Sequence, residues 1–325
     1  MGQVVERTGS PLARPGGSGP RPGRRRLTLS RLDVAVSPYL YVAPFFLLFA
    51  AFGLFPILYT AFVSLHRWDI IGSRTWIGLQ NYRDLLADPR FWIALRNTFS
   101  IWVLSTVPQL ALALFLAHVL DRRFLRAKTF FRMALLVPNV TSVVAVAIVF
   151  TSIFGLHFGL VNYVLESLGL GRIDWKAGVL SSHLAISAMV MWRWTGYNAL
   201  IYLAALQSIP QELYEAAVID GASHFQLLRR VTVPMLRPAI LFTVVVSTIG
   251  GLQIFAEPLV FDGGQYAYRG GTGRQYSTLA LFLYEQGFRS FKFGYAAAVA
   301  WVLFVLISVM VVLNVLVFRR IRSAD

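Results

Sequence analysis

Long apolar runs alternate with short polar, basic segments along most of the chain. The runs fall at about 39–65, 97–120, 131–155, 182–206, 238–260 and 294–318. Each approaches the roughly 20 residues that a helix needs to cross a bilayer. The pattern predicts an all-α polytopic membrane protein with six transmembrane helices over 38–325. Residues 1–37 stand apart, because their first part is rich in Pro, Gly and Arg and almost without apolar side chains. They read as a disordered basic tail. The tail is not a cleaved signal peptide: the apolar stretch after it is too long and has no small-residue cleavage site.

Composition agrees with the pattern. The 325 residues are 57% hydrophobic and only 14% charged, against about 25% charged in soluble domains. The net charge of +15 does not indicate nucleic acid, because the basic residues gather at the ends of the apolar runs. Arg21, Arg24, Arg25, Arg26 and Arg31 precede the first run, and Arg122, Arg123, Arg126, Lys128 and Arg132 lie between the second and third. Arg229, Arg230 and Arg237 lie between the fourth and fifth, and Arg319, Arg320 and Arg322 follow the sixth. By the positive-inside rule these segments are cytoplasmic, as are both termini. There are no cysteines, so neither a disulfide nor a thiolate metal site is available.

Polar residues inside the runs are the candidate substrate path. Pro138, Asn139, Thr141 and Ser142 interrupt the third run as a packing kink or a polar step. In the fourth, Met191–Tyr202 reads MWRWTGYNALIY. Arginine within a span costs at least about 2.5 kcal/mol, so Arg193 faces protein or water, or snorkels to the interface. Trp192, Trp194, Tyr197 and Asn198 surround it with the aromatic faces and hydrogen-bonding groups that suit a sugar. In the fifth, Gln253 and Glu257 fall four apart, on one face of a continuous helix. Glu257 either lines the path or pairs with Arg193 as a structural salt bridge. Gly250 and Gly251 permit close helix approach, and Gly294 to Ala298 offer a small-residue face to a partner.

The longest polar interruption, Leu213–Pro238, reads LYEAAVIDGASHFQLLRRVTVPMLRP. Pro210 and acids at Glu212 and Glu215 open a helix, Gly221 allows a bend, and Pro234 and Pro238 stop a second helix from running straight on. Glu215, Ala216, Ala217, Gly221, Val231, Val233 and Pro234 fall in the register of the EAA loop, so the segment resembles that of ABC importer permeases. The stretch Gly78 to Thr98, with Leu79, Asn81, Tyr82, Asp88, Pro89, Phe91, Trp92 and Asn97, is similar to the segment before the core of carbohydrate permeases of the maltose and glycerol-phosphate type. Asn162 and Gly169 carry a weaker likeness to the outer half-helix of the same importers.

The resemblance implies a type I permease fold and a sugar-importing subunit. It implies a second homologous permease, two ATPase subunits and an extracellular solute-binding protein as partners. It assigns ATPase coupling to Glu215, Ala216, Ala217, Asp220, Gly221, Ala222, Phe225 and Pro234. ATP and Mg would be bound by the ATPase, with no cofactor in this chain, since no Gly-Lys dipeptide and hence no Walker A loop occurs. The histidines His66, His118, His157, His183 and His224 are scattered, and no G-x-S-x-G elbow is present, so enzyme chemistry is not indicated. Two alternatives stand beside this reading. An ATP-independent carrier or channel would want several buried acids or an inverted repeat, and an ABC permease for another solute would lack the Gly78–Thr98 likeness.

Overall fold

A computed structural model describes residues 25–69, 74–122 and 127–322. Most of the basic tail, with Arg123 and Arg126, lies outside them. The chain forms two compact units, one up to Leu58 and one from Tyr59 onward. The first holds helix α1 (Arg25–Phe49), a π-helical turn over Ala50–Leu54 and the start of α2 (Phe55–Ser64). Its helix begins at Arg25, inside the segment read as tail. Pro38 and Pro44 sit within α1, where each removes one ladder hydrogen bond. Tyr39, Phe45, Phe46, Phe52 and Phe55 are all exposed, and a helix apolar all round belongs in a membrane.

In the second unit a two-stranded ribbon, β1 (His66–Arg67) with β2 (Thr75–Trp76), leads into α3 (Gln80–Ala87) and α4 (Pro89–Asp121). Asp88 caps α4, accepting from the Arg90 amide at 2.9 Å, and Pro89 takes the first helical position, where its missing N–H costs nothing. Next come α5 (Lys128–Val140), α6 (Val143–Ile153), the short α7 (Leu160–Ser167) and α8 (Val179–Gln207). Helix α9 (Gln211–Ile219), α10 (His224–Leu227), a π turn over Leu228–Thr232 and α11 (Val233–Met235) precede α12 (Arg237–Leu252). Helices α13 (Ala256–Asp262), α14 (Leu279–Tyr284) and α15 (Phe293–Arg322) complete the chain.

Among the described residues, three helical stretches are long and apolar enough to cross a membrane as they stand: Val36–Ser64, Pro89–Asp121 and Phe293–Arg320. Two more are bent pairs, α5 with α6 at 95° and Phe225–Met235 with α12 at 66°. Helix α8 has the length, at 29 residues, but Arg193 and its polar neighbours dilute its apolarity. The expectation of six continuous spans is therefore corrected at two places. The third breaks at Thr141, whose backbone is extended (φ −72, ψ 141) and whose hydroxyl donates to the Val137 carbonyl at 2.7 Å. This is three residues beyond Pro138, where a kink was expected. The fifth ends at Leu252 and resumes at Ala256.

Helix α8 packs along α4 over two apolar clusters, one around Ile101, Ala185 and Met189, the other around Ala113, Ala117, Ala199 and Leu203. Small residues bring backbones close, which in lipid replaces the missing hydrophobic drive with dispersion. Gly196 shows how close: a Cβ there would fall 1.8 Å from the Leu135 carbonyl oxygen of α5. Hydrogen bonds tie the other helices in. The Tyr202 and Thr243 hydroxyls lie 2.6 Å apart between α8 and α12, and the Asn314 amide donates to the Thr248 hydroxyl at 3.0 Å between α15 and α12. Ala296, Ala297 and Ala298 are buried within this chain, so they are not the free partner-facing surface expected of them.

Candidate functional site

Two broken helices meet beside α8. The loose backbone from Gln253 to Phe255 and the start of α6 at Val143 border a cavity of about 290 Å³. Irregular backbone at membrane depth is tolerated only inside protein or along a wet cavity, because lipid cannot hydrogen-bond it. Arg193 and Glu257 line this cavity and pair across it, Nη1 donating to Oε1 at 2.7 Å. Their side chains are 15% and 9% exposed. Glu257 lies in the first turn of α13, where the helix dipole favours an anion. The arginine is thus held inward rather than snorkelling to an interface. Trp194 lines the same wall, with the Arg193 guanidinium 6.0 Å from its ring centre.

The sequence candidates divide here. Arg193, Trp194, Gln253 and Glu257 come together on the cavity. Gln253 and Glu257 do not share a helical face, because the helix stops between them. Tyr197 stands edge-on to Trp194 at 5.9 Å, and buried Asn198 donates to the Ser247 hydroxyl at 3.5 Å, behind the cavity wall. Trp192 lines a different, apolar cavity with Phe131, Leu135 and Pro138. Asn139 is half-buried near the end of α5 and borders neither cavity. Gly251 makes the close approach expected, to Trp102, whereas Gly250 faces open space. Sequence reasoning missed Thr106 and Gln109, both buried and both lining the cavity from α4. Their spacing with Ser105 on one face of an apolar helix was the available signal.

The loop from Pro210 to Pro238 folds as its punctuation indicates. Helix α9 carries Glu215, Ala216 and Ala217. Glu212 is the acid of its first turn, while Glu215 lies a turn later and accepts from Gln211 at 2.9 Å. Asp220 ends the helix and Gly221 turns the chain with φ +77, a conformation that side chains with a Cβ resist. The Ala222 amide closes that turn on the Ala217 carbonyl at 2.9 Å, a helix C-cap. Glu215, Ile219, Asp220, Gly221 and Phe225 are exposed, with Ile219 at 85% and Phe225 at 69%. Pro234 is half-buried at the hinge into α12, beside fully buried Leu236.

The residues of the Gly78–Thr98 segment serve as clamps. Asn81 donates to the Ser64 and His66 carbonyls at 2.8 and 2.9 Å. Asn97 donates to the Arg274 and Ser277 carbonyls at 2.9 and 3.2 Å, and the Thr98 hydroxyl accepts from the Leu279 amide at 2.9 Å. Asn162 does the same for the α7 region, bridging the Gly155, Leu156 and Ile173 carbonyls and accepting from the Trp175 indole. Such side chains satisfy backbone groups that loops leave over.

Apolar helices bent around a part-polar cavity, with an exposed helix–turn–helix loop, are a layout suited to a solute permease. A sequence profile of the binding-protein-dependent transport system inner membrane component family matches residues 85–323, and the chain belongs to that family. It is 38% identical over 278 residues to the lactose transport system permease protein of Rhizobium radiobacter, covering 85% of this chain and 91% of that one. It is 35% identical over 275 residues to the arabinooligosaccharides transport system permease protein of Bacillus subtilis, 84% of this chain and 86% of that one. It is 32% identical over 286 residues to the trehalose/maltose transport system permease protein of Thermococcus litoralis, 87% and 94%. The fold matches a chain of a bacterial alginate ABC transporter solved with an alginate pentasaccharide-bound periplasmic protein. That match has a TM-score of 0.76 at 22% identity, over 90% of this chain and 98% of that one. The chain is thus a permease subunit of an ABC transport system, an inner-membrane component.

Proposed function

We propose that this subunit imports a sugar, as an oligosaccharide, disaccharide or sugar derivative, through a path it forms with a second homologous permease. The observation that carries the reading is the cavity with the Arg193–Glu257 pair and Trp194 on its wall. It places an aromatic face beside hydrogen-bonding groups where two helices are broken. The names of its relatives, for lactose, arabinooligosaccharides and trehalose/maltose, support a sugar cargo.

In this reading both termini and the Pro210–Pro238 loop are cytoplasmic. Two ATPase subunits bind ATP and Mg, and this chain catalyses nothing itself. Closure of the ATPase dimer moves the exposed segment Glu215–Phe225, Pro234 passes the motion into α12, and an extracellular solute-binding protein delivers sugar to the cavity. Coupling of this kind requires the two states of the permease to bind the ATPase dimer differently.

The test is uptake of labelled sugar by the complete transporter in proteoliposomes. Arg193→Ala and Trp194→Ala are expected to lower uptake with ATPase docking intact. Unchanged uptake and specificity in both would move the site elsewhere, and sugar flux without the ATPase would favour a secondary carrier. Ligand screening of the binding protein decides between sugar and another solute.

A further inference from the structure

The cavity beside α8 is electrically balanced. Arg193 and Glu257 are the charged residues on its wall, and they neutralise each other at 2.7 Å. The remaining polar side chains there, Thr106, Gln109, Ser247 and Gln253, carry no charge. At about 290 Å³ the space sits at the small end of the roughly 300–1,000 Å³ of ligand pockets. It suits one ring, not a chain, and Trp194 offers the face against which a ring's C–H bonds pack.

We propose that this cavity selects an uncharged glycosyl unit and excludes acidic sugars, with Glu257 as the group that cancels Arg193. The proposal rests on the sugar reading above and deepens it. A neutral ring packs against Trp194 while the ion pair stays closed. A uronate leaves the cavity one negative charge in excess. If it draws Arg193 to itself, Glu257 is left buried without a partner, and breaking a buried pair in that way is strongly unfavourable. Without Glu257 the same cavity would hold one positive charge in excess and would favour the acid.

The experiment uses the assembled transporter, both permeases with their ATPase, in nanodiscs with a non-hydrolysed nucleotide and without the binding protein, whose own selectivity would mask this one. Saturation-transfer NMR compares lactose, maltose and trehalose, each with its C6-oxidised uronate. The expected result is a preference for the neutral member of roughly tenfold or more. Glu257→Gln reverses that preference, and the double variant Arg193→Gln/Glu257→Gln restores neutral selectivity. Uronates bound as well as their neutral partners by the unaltered complex would overturn the charge argument. Absence of binding by every neutral sugar would overturn the glycosyl assignment of the cavity. A Glu257→Gln protein that is present in the membrane but keeps the neutral preference also refutes the proposal. Should that variant not reach the membrane, the comparison of neutral sugars and uronates on the unaltered complex decides. Failure of the sugar reading itself is a separate outcome: the full transporter, with its binding protein, would then carry no sugar of either kind.

Discussion

Gly250 and Gly251 are adjacent on α12, yet the structure gives them opposite surroundings. A Cβ built on Gly251 falls 2.5 Å from Trp102 Cδ1 and 3.4 Å from its Cγ, while one on Gly250 meets nothing within 4 Å. Trp102 has little room to yield, since it packs into the cluster of Leu252, Leu279 and Phe282 and stands edge-on to Phe99 at 5.9 Å. Alanine at either position gains roughly 0.5–1 kcal/mol of helix propensity. At Gly251 an overpacking penalty of about 1–3 kcal/mol opposes it. Because the propensity gain is common to both, the two alanine variants differ by that penalty alone. The assay is thermal unfolding of the purified transporter. Gly250→Ala is expected at or above the parent and Gly251→Ala below Gly250→Ala by roughly 2–4 °C. Trp102→Phe added to Gly251→Ala recovers part of the loss, a coupling read by a double-mutant cycle. Gly250→Leu fills the cavity from its open side and lowers uptake without loss of stability. Equal stability of the two alanine variants, or a more stable Gly251→Ala, would refute the packing argument.

Arg193→Ala leaves Glu257 buried and unpaired, and is expected to cost about 3–5 kcal/mol, more than Arg193→Ala/Glu257→Ala together; denaturation of the three proteins measures it. Asn162→Leu leaves the carbonyls of Gly155, Leu156 and Ile173 without their donor, and a loss of about 1–3 kcal/mol shows as faster proteolysis between 155 and 175. Glu215→Lys and Gly221→Pro leave the protein inserted but separate ATP hydrolysis from uptake, and normal uptake in both would remove the loop from the coupling role. Burial pulls the Asp88 carboxyl upward, but hydrogen bonds and charge from Arg90 outweigh it and hold it below 3.8. A depressed carboxyl stabilises the fold above its unfolded value and ceases to do so as pH falls through the folded one. The α4 start is therefore expected to loosen only in strong acid, followed by hydrogen exchange, and Asp88→Asn removes that dependence.

How much of this was legible follows from what each signal depends on. Continuous apolar runs depend only on local composition, so the start of α15 and the end of α4 were found within a residue, whereas α4 begins eight residues before the expected 97, at Pro89, which the polar start of that helix concealed. The loop at Leu213–Pro238 was legible because Gly221, Pro234 and Pro238 act on their own backbone, and the turn at φ +77 is a demand the residue itself meets. The register of Asn81, Asn97 and Asn162 was legible as likeness only. Their clamping role needs partners such as Ser277, which lies 180 positions from Asn97, and nothing local announces it. Ala296 to Ala298 misled for the same reason: small residues declare that something packs closely, without saying whether it is another chain or this one.

The breaks in the helices were the least legible feature, and they matter most for transport. Pro138 marks a weak point in the third run, but the chain yields at Thr141, where a hydroxyl satisfies the Val137 carbonyl. Between Leu252 and Ala256 no proline signals the break; Pro258 comes only after α13 has begun. Two contacts hold that break: Arg193 on another helix takes Glu257, and the Thr278 hydroxyl donates to the Ile254 carbonyl at 2.8 Å. Glu257 must leave the line of α12 to reach Arg193 at 2.7 Å, and once there it occupies the first turn of a new helix whose dipole favours it. The carbonyls of Ile254 and Phe255 are met from within the chain, by the Thr278 hydroxyl at 2.8 Å and the Leu259 amide at 3.1 Å, as lipid could not do. The ion pair and the break thus meet on one cavity wall, with Gln253, Ile254 and Phe255 beside Arg193 and Glu257. It follows that the Arg193→Gln/Glu257→Gln protein should keep the break after Leu252, and the cavity with it, because the Thr278 contact to Ile254 remains. Unchanged amide exchange at 253–255 in that variant is the expected result, and slower exchange would show that the break depends on the pair.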